Sequence, residues 1–424
     1  MRTIAPKPKR RCAYSRFSFE TGWDLHVRSQ SLERHHPQHM ISDKPAAVVD
    51  FGTGYVKAGF AGDTKPRVVL PNCVGRPFAK AAAEPFVARS GGSALVVGDQ
   101  ALNKRATGLA LTYPLQNGIV QDWEAAEAVW SHLFSVELGI DPQQHPVLCT
   151  EAPLNPRRNR EQLATLVFEA FGVPAFFMVV QAVLALYATG RTTGAVLDLG
   201  DGVTHVVPVY DGYCLPHAVR RLNLAGRDLT DLAAKLLNSE CGLSTHSRPS
   251  VVREIARQVK EQHCYVAPDW EAENHRFQQD PDAFLRRYLL PDGQELAFKE
   301  LRFTVPECLF QPALMGMDAP GIHELLLDAI QKCDVDLRRS LYGGIVLSGG
   351  SSLFPGLPER LHAELAKQIP GAGVQTKIVA GPDRRFAVFQ GGAVLAGLDT
   401  FEQMWITRAE YDEFGPQIVH RKCL

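Results

Sequence analysis

The chain has almost no net charge: 45 Lys and Arg stand against 46 Asp and Glu in 424 residues. That balance gives no whole-molecule field to draw in nucleic acid or an anionic membrane, so direct nucleic-acid binding is not expected. No apolar run reaches the ~20 residues needed to span a bilayer. The longest, Val173 to Ala188, is interrupted by Pro174 and Gln181. No apolar stretch follows the basic start, so a signal peptide is not expected either. No two cysteines are spaced C-x-x-C, and the nine present, scattered from Cys12 to Cys423, are odd in number. They read as reduced thiols of a cytosolic or nuclear protein and exclude a disulfide framework or zinc site. What is plentiful is apolar sequence, 45% of residues. The chain exceeds the ~250 to 300 residues at which one core usually divides, so two domains are expected.

The most informative stretch is Gly194-Ala-Val-Leu-Asp198-Leu-Gly200-Asp201-Gly202-Val-Thr-His205. It reads as a buried strand ending in a carboxylate, a tight glycine turn and a returning strand. Gly200 and Gly202 permit positive φ and close approach of backbone amides to a phosphate. Asp198 is placed to hold the accompanying magnesium, which needs only one or two protein carboxylates. The pattern recurs at Ala46-Ala-Val-Val-Asp50-Phe-Gly52-Thr53-Gly54-Tyr-Val-Lys57, where Thr53 adds a hydroxyl and Lys57 a point charge. One such hairpin is most simply a glycine-requiring turn. Two, each after a buried strand, point to a duplicated α/β core whose loops clamp a nucleotide from opposite sides.

Elsewhere the signals are weaker. Residues 1–43 carry the basic cluster Pro6 to Arg11 and no apolar periodicity; a disordered extension is expected, with a nuclear-import or acidic-partner tether as the alternative. His35, His36 and His39 read as solvated surface. Phe78 to Ser93, rich in alanine with a Gly-Gly break, is expected to be a mobile loop. Helical spacing runs from Trp123 to Leu138 and from Asn155 through Phe171. Gln181 must either be satisfied in the core or orient a water beside a terminal phosphate. His205 reads by itself as an ordinary strand histidine. Arg253, Arg257, Lys260 and Glu261 share one face of a helix running to Tyr265, either a solvated charged face or a shelf for base and ribose. A third glycine turn, Ser348-Gly349-Gly350-Ser351, opens further backbone N–H groups before the helix around Leu357 to Leu365.

These hairpins, together with Gln181-Ala-Val-Leu-Ala-Leu-Tyr-Ala-Thr-Gly, Lys332-Cys-Asp-Val-Asp and Gln417-Ile-Val-His-Arg-Lys-Cys-Leu424, resemble actin from about Ala46 to the last residue. The resemblance implies an actin-type α/β fold, two duplicated domains of four subdomains around a central nucleotide cleft. The implied segments are 44–71, 113–188 and 387–424 for subdomain 1; 72–112 for subdomain 2; 189–224 and 318–386 for subdomain 3; and 225–317 for subdomain 4. It implies ATP or ADP with Mg2+ (or Ca2+). Thr53, Gly54, Tyr55 and Lys57 would bind the phosphates from one side, and Asp201, Gly202 and Val203 from the other. Asp50, Gln181 and Asp198 would surround the hydrated metal, and Gln181 with His205 would position the attacking water. Arg257, Lys260, Glu261, Gly350, Leu353, Phe354 and Arg385 would line the nucleoside pocket.

The sequence departs from the family at Phe51, where an Asn is usual, at Leu199 in place of Ser, and at Asn117 in place of His. An aromatic and an aliphatic beside the phosphates are expected to remove hydrogen-bond partners and slow any hydrolysis, leaving at most a slow ATPase. The rewritten segment Phe78 to Ser93 bears on filament contact. Among relatives the chain looks most like the male germ-cell actin-like group, implying a part in shaping the sperm head. The expected partners are actin, actin-binding or other cytoskeletal proteins, with self-assembly in the same class, and the expected location is cytoplasm and cytoskeleton. The alternative is a non-polymerising nuclear subunit of a chromatin-remodelling complex.

Overall fold

A computed structural model describes residues 41–77, 88–90, 93–104, 109–241, 249–290, 293–369 and 375–423. Expectations about residues 1–40 and 78–87 lie outside the described residues.

Two six-stranded sheets dominate. In the first, strand β1 (Ala47–Phe51) is buried at every residue, as its run of Ala and Val requires of a central strand. It pairs antiparallel with β2 (Tyr55–Phe60), which carries β3 (Val68–Pro71) on its far side. On its other edge β1 pairs parallel with β4 (Val147–Glu151), followed by β5 (Ala175–Val180) and the short strand Ile406–Thr407. The second sheet repeats this plan. β6 (Gly194–Leu199) pairs antiparallel with β7 (Thr204–Tyr210) and parallel with β8 (Ile345–Ser348). In each half, therefore, the aspartate-bearing strand has its own hairpin on one side and a parallel neighbour on the other. The α/β class and the duplication read from the sequence hold.

Each sheet supports a core. Phe51, Trp130, Phe134, Phe168 and Phe176 belong to the first, and Leu197, Leu199, Leu326, Phe303 and Leu361 are buried on the second side. A four-stranded sheet built from Val74–Pro77, Ala88–Ser90, Ser93–Val97 and Leu109–Thr112 extends the first half. Helices α2 (Gly226–Cys241) and α3 (Pro249–His263) and the ribbon of Arg286–Leu289 with Glu295–Phe298 extend the second. The helix carrying Arg257 thus stops at His263, short of Tyr265. The end of the expected Phe78 to Ser93 loop is a strand pair, Ala88 opposite Leu95 and Ser90 opposite Ser93. Trp123 to Leu138 begins as an α-helix capped by Asp122, then widens into a π-turn from Leu133.

Val173 to Ala188 is a strand-to-helix passage: β5 runs straight into α1 (Gln181–Tyr187). α1 crosses α4 (Ala387–Ala396), and the backbones touch because Gly391 lies at the crossing. A Cβ there would stand 1.8 Å from the Leu184 carbonyl oxygen. In the second half, Glu307 and Arg360 form an ion pair with Nη2 to Oε1 at 3.0 Å, Glu307 being fully buried. The carboxy-terminal helix Val419–Lys422 is tied down by His420 to Glu161 and by Lys422 to Glu410. Beyond it, Cys423 is fully buried, its sulfur accepting from the Met178 amide. Among the described residues no helix is long and apolar enough to cross a membrane.

Candidate functional site

The two glycine turns meet. A Cβ on Gly54 would lie 2.7 Å from Asp201 Cγ, and one on Gly202 would lie 2.5 Å from Thr53 Cγ2. Each turn therefore uses glycine to admit a side chain of the other. This corrects one expectation: Gly200 and Gly202 are not among the positive-φ glycines, so what they supply is space. Thr53 is held in turn by the Gly118 amide, which donates to its hydroxyl at 3.0 Å. Gly118 and Asn117 (φ 80° and 48°) form the two-residue turn between Leu115–Gln116 and Ile119–Val120, the Asn-Gly pairing that such hairpins favour.

Behind the turns lie the two aspartates. Asp50 is 1% exposed and receives Lys57 Nζ at 2.8 Å, Thr150 Oγ1 at 2.9 Å and Gln181 Nε2 at 3.1 Å. Gln181 is thus satisfied by hydrogen bonds and also sits beside the first carboxylate, at the start of α1. Asp198 keeps a side open to the cleft but is otherwise enclosed; burial raises its carboxyl above the ordinary range, and Asp50 adds to the rise. Ser348 lies across from it on β8. Thr150 and Ser348 are equivalent in the two halves, each a hydroxyl on the parallel neighbour strand. No sequence motif marked either.

Phe51 and Leu199 do not stand beside the phosphate turns as expected. Successive strand residues point to opposite faces. With Asp50 turned to the cleft, Phe51 turns to the core, its ring 5.5 Å from Trp130. Leu199 is likewise fully buried in the second core. Neither side chain takes the place of a polar group next to the turns, so the expectation of slowed hydrolysis loses its stated ground.

Beyond the turns opens a cavity of ≈ 390 Å³ whose lining includes Gly54, Tyr55, Asp201 and Arg257. Burial raises the Tyr55 hydroxyl. Arg257 is paired with Glu254 and Glu261, so Glu261 already has a cationic partner. Lys260 is 5% exposed, its ammonium donating to the Gly226 carbonyl at 2.8 Å, and burial lowers its pKa. It braces α3 against α2 and does not belong to the solvated face. Gly350, Leu353, Phe354 and Arg385 are not among the residues lining that cavity. Phe354 packs into the second core, and Arg385 is exposed over Phe386. Their turn does reach the second hairpin, Ser351 Oγ donating to the Gly200 carbonyl at 2.8 Å. Tyr113, Arg227 and Thr230 also line the cavity, and sequence reasoning missed them as site residues; Arg253, one of the four read as a charged face or a shelf, lines it too.

His205, opposite Asp198 in the hairpin, is 2% exposed, and its Nε2 has no hydrogen-bond partner. Burial first, then Arg221, lowers its pKa from 6.5 to about 3. Since the folded pKa is depressed, the unfolded chain takes up the proton first as pH falls below 6.5. Stability is complete above that pH and drains away toward about pH 3, at about 1.4 kcal/mol per pH unit. Nucleotide-stripped protein should lose roughly 2 kcal/mol between neutral and about pH 5 from this group. Urea unfolding against pH, with His205→Gln expected to flatten that segment, measures it.

Val203 closes the second turn from behind, buried beside Gly118. Among the described residues no three His, Cys, Asp or Glu side chains cluster as a direct metal cage. A family model for actin matches residues 41–424. With two aspartate hairpins interlocked over paired carboxylates and that match across nearly the whole chain, the protein belongs to the actin family.

Proposed function

We infer that this chain is an actin-type structural protein that holds ATP or ADP with a divalent cation between its two hairpins and works by assembly with filaments or partner proteins. The observation carrying this reading is the interlock of Thr53 with Gly202 and of Asp201 with Gly54 above Asp50 and Asp198. The donor set fits the cation. Asp198 has no salt-bridge partner among the described residues and feels Asp50 as a like charge, a conflict that a hydrated Mg2+ would relieve. The bound cation would neutralise phosphate charge. Thr53, Gly54, Tyr55, Lys57, Asp201, Gly202 and Val203 would then surround the phosphates, while Gln181 and His205 would position a water, as the resemblance implies. That turnover is at most that of a slow ATPase rests, in this reading, on the family resemblance alone. The adenosine end is assigned to the side of Arg257, Lys260, Glu261 and the Gly350 turn, on the strength of the resemblance.

The cellular part of the proposal, a cytoskeletal role in the male germ line, is supported by the sequence likeness alone. Asp198→Ala should weaken binding of Mg2+-ATP by about 100-fold and metal-free ATP much less, because it removes one carboxylate of a two-carboxylate site. Titration with and without chelator measures this; equal weakening in both would overturn the metal assignment. Co-sedimentation with actin filaments tests assembly. A protein that pellets neither alone nor with actin would shift the reading to the nuclear remodelling subunit.

A further inference from the structure

Arg227 is the first side chain of α2 to reach back to the cleft, and it makes contacts in two directions. Its Nε and Nη2 donate to Asp201 Oδ2 at 3.2 and 3.0 Å, and its own amide donates to the Asp201 carbonyl at 2.7 Å. The guanidinium carbon lies over the Tyr113 ring, 4.4 Å from its centroid. Tyr113 follows the small sheet of the first half, whereas Asp201 and Arg227 belong to the second. The root of α2 is itself fixed to the second turn. The Gly226 amide donates to the Gly200 carbonyl at 3.0 Å, and Lys260 Nζ binds the Gly226 carbonyl at 2.8 Å. Arg227 is therefore mounted on a braced base, grips the carboxylate of the phosphate turn and rests on an aromatic ring of the opposite half, all at the rim of the cavity.

We propose that Arg227 is a positioning residue for the bound nucleotide: by joining Asp201 to Tyr113 it latches the cleft rim and sets the rate at which nucleotide leaves. This rests on the nucleotide reading above. Three features make the guanidinium suited to it. A planar fork can pair with a carboxylate through one edge while stacking on a ring through its face, which an ammonium cannot do. The stack is half-buried, where cation–π attraction is stronger than at an open surface. And the same Asp201 whose side chain is held packs against Gly54, so motion of the latch is felt at both turns.

The test uses full-length protein loaded with Mg2+ and the fluorescent analogue ethenoadenosine triphosphate, chased with excess ATP. Arg227→Ala and Tyr113→Ala should each raise the dissociation rate about tenfold, leaving the association rate unchanged or faster. The double variant should be no faster than the faster single one, because both remove one contact. Tyr113→Phe, which keeps the ring, should behave as wild type, and Arg227→Lys should fall between. Dissociation rates within twofold of wild type in both alanine variants, or effects that multiply in the double variant, would overturn the latch. Failure of wild-type protein to bind the analogue would overturn the nucleotide reading itself.

Discussion

Gly391→Ala is expected to remove roughly 3–5 kcal/mol of stability, more than the ~1–3 kcal/mol usual for overpacking a core. The reason lies in what the added methyl meets. Its Cβ would stand 1.8 Å from the Leu184 carbonyl oxygen and 2.5 Å from the carbonyl carbon, and a backbone cannot step aside as a flexible side chain does. Relief requires α1 and α4 to separate. Both helices are anchored to the first core through Leu184, Leu186, Val388 and Phe389. α1 also begins at Gln181, so separation would carry the carboxamide away from Asp50. Gly381→Ala is the control: nothing lies within 4 Å of a Cβ there, and its effect should stay within about 0.5 kcal/mol. Urea denaturation of the three proteins decides the matter.

Glu307→Ala should be nearly as damaging, at roughly 3–5 kcal/mol, because it strands a charge. Arg360 is 6% exposed. It pairs with Glu307 through two nitrogens, donates to the Ala267 carbonyl at 2.9 Å, reaches Glu364 at 2.7 Å and lies 4.9 Å from the centre of the Phe310 ring. Without Glu307 the guanidinium keeps one carboxylate and loses the fully buried one. Burial pushes the Glu307 carboxyl up even though Arg360 opposes it, while, against burial, Glu307 and Glu364 raise the Arg360 guanidinium; for a buried pair of this kind desolvation offsets much of the attraction. The double variant Glu307→Leu with Arg360→Met should therefore recover most of the loss. A double variant as unstable as Glu307→Ala would show that the helices need the ion pair for more than charge balance.

The sequence made some layers of this structure readable and hid others, for physical reasons. Asp50 and Asp198 were legible because a buried strand, an acid and a glycine turn are contiguous, and local chemistry constrains all three. The glycines were legible as special, yet their role was misjudged. Positive φ is a property of one residue, whereas the approach of Gly54 to Asp201 joins turns far apart in sequence. Thr150 and Ser348 were invisible for the same reason: each matters only because a parallel strand lies beside its aspartate. Phe51 and Leu199 misled because adjacency in sequence suggested adjacency in space, and a strand turns neighbours to opposite faces. Lys260 read as one cation of a charged helix face, while its depth against Gly226 depends on how α2 and α3 pack.

The sealed position of Cys423 sets the chemical temperament of the tail. Its thiol is pushed up to about 12 by burial and stands behind Met178, with Arg160 donating to its carbonyl, so almost none of it is thiolate at neutral pH. Peroxide, glutathione disulfide and alkylating agents all require that thiolate and a path to it. The carboxy-terminal sulfur is consequently a mortared stone in the wall, deaf to the redox weather outside until the wall itself comes down.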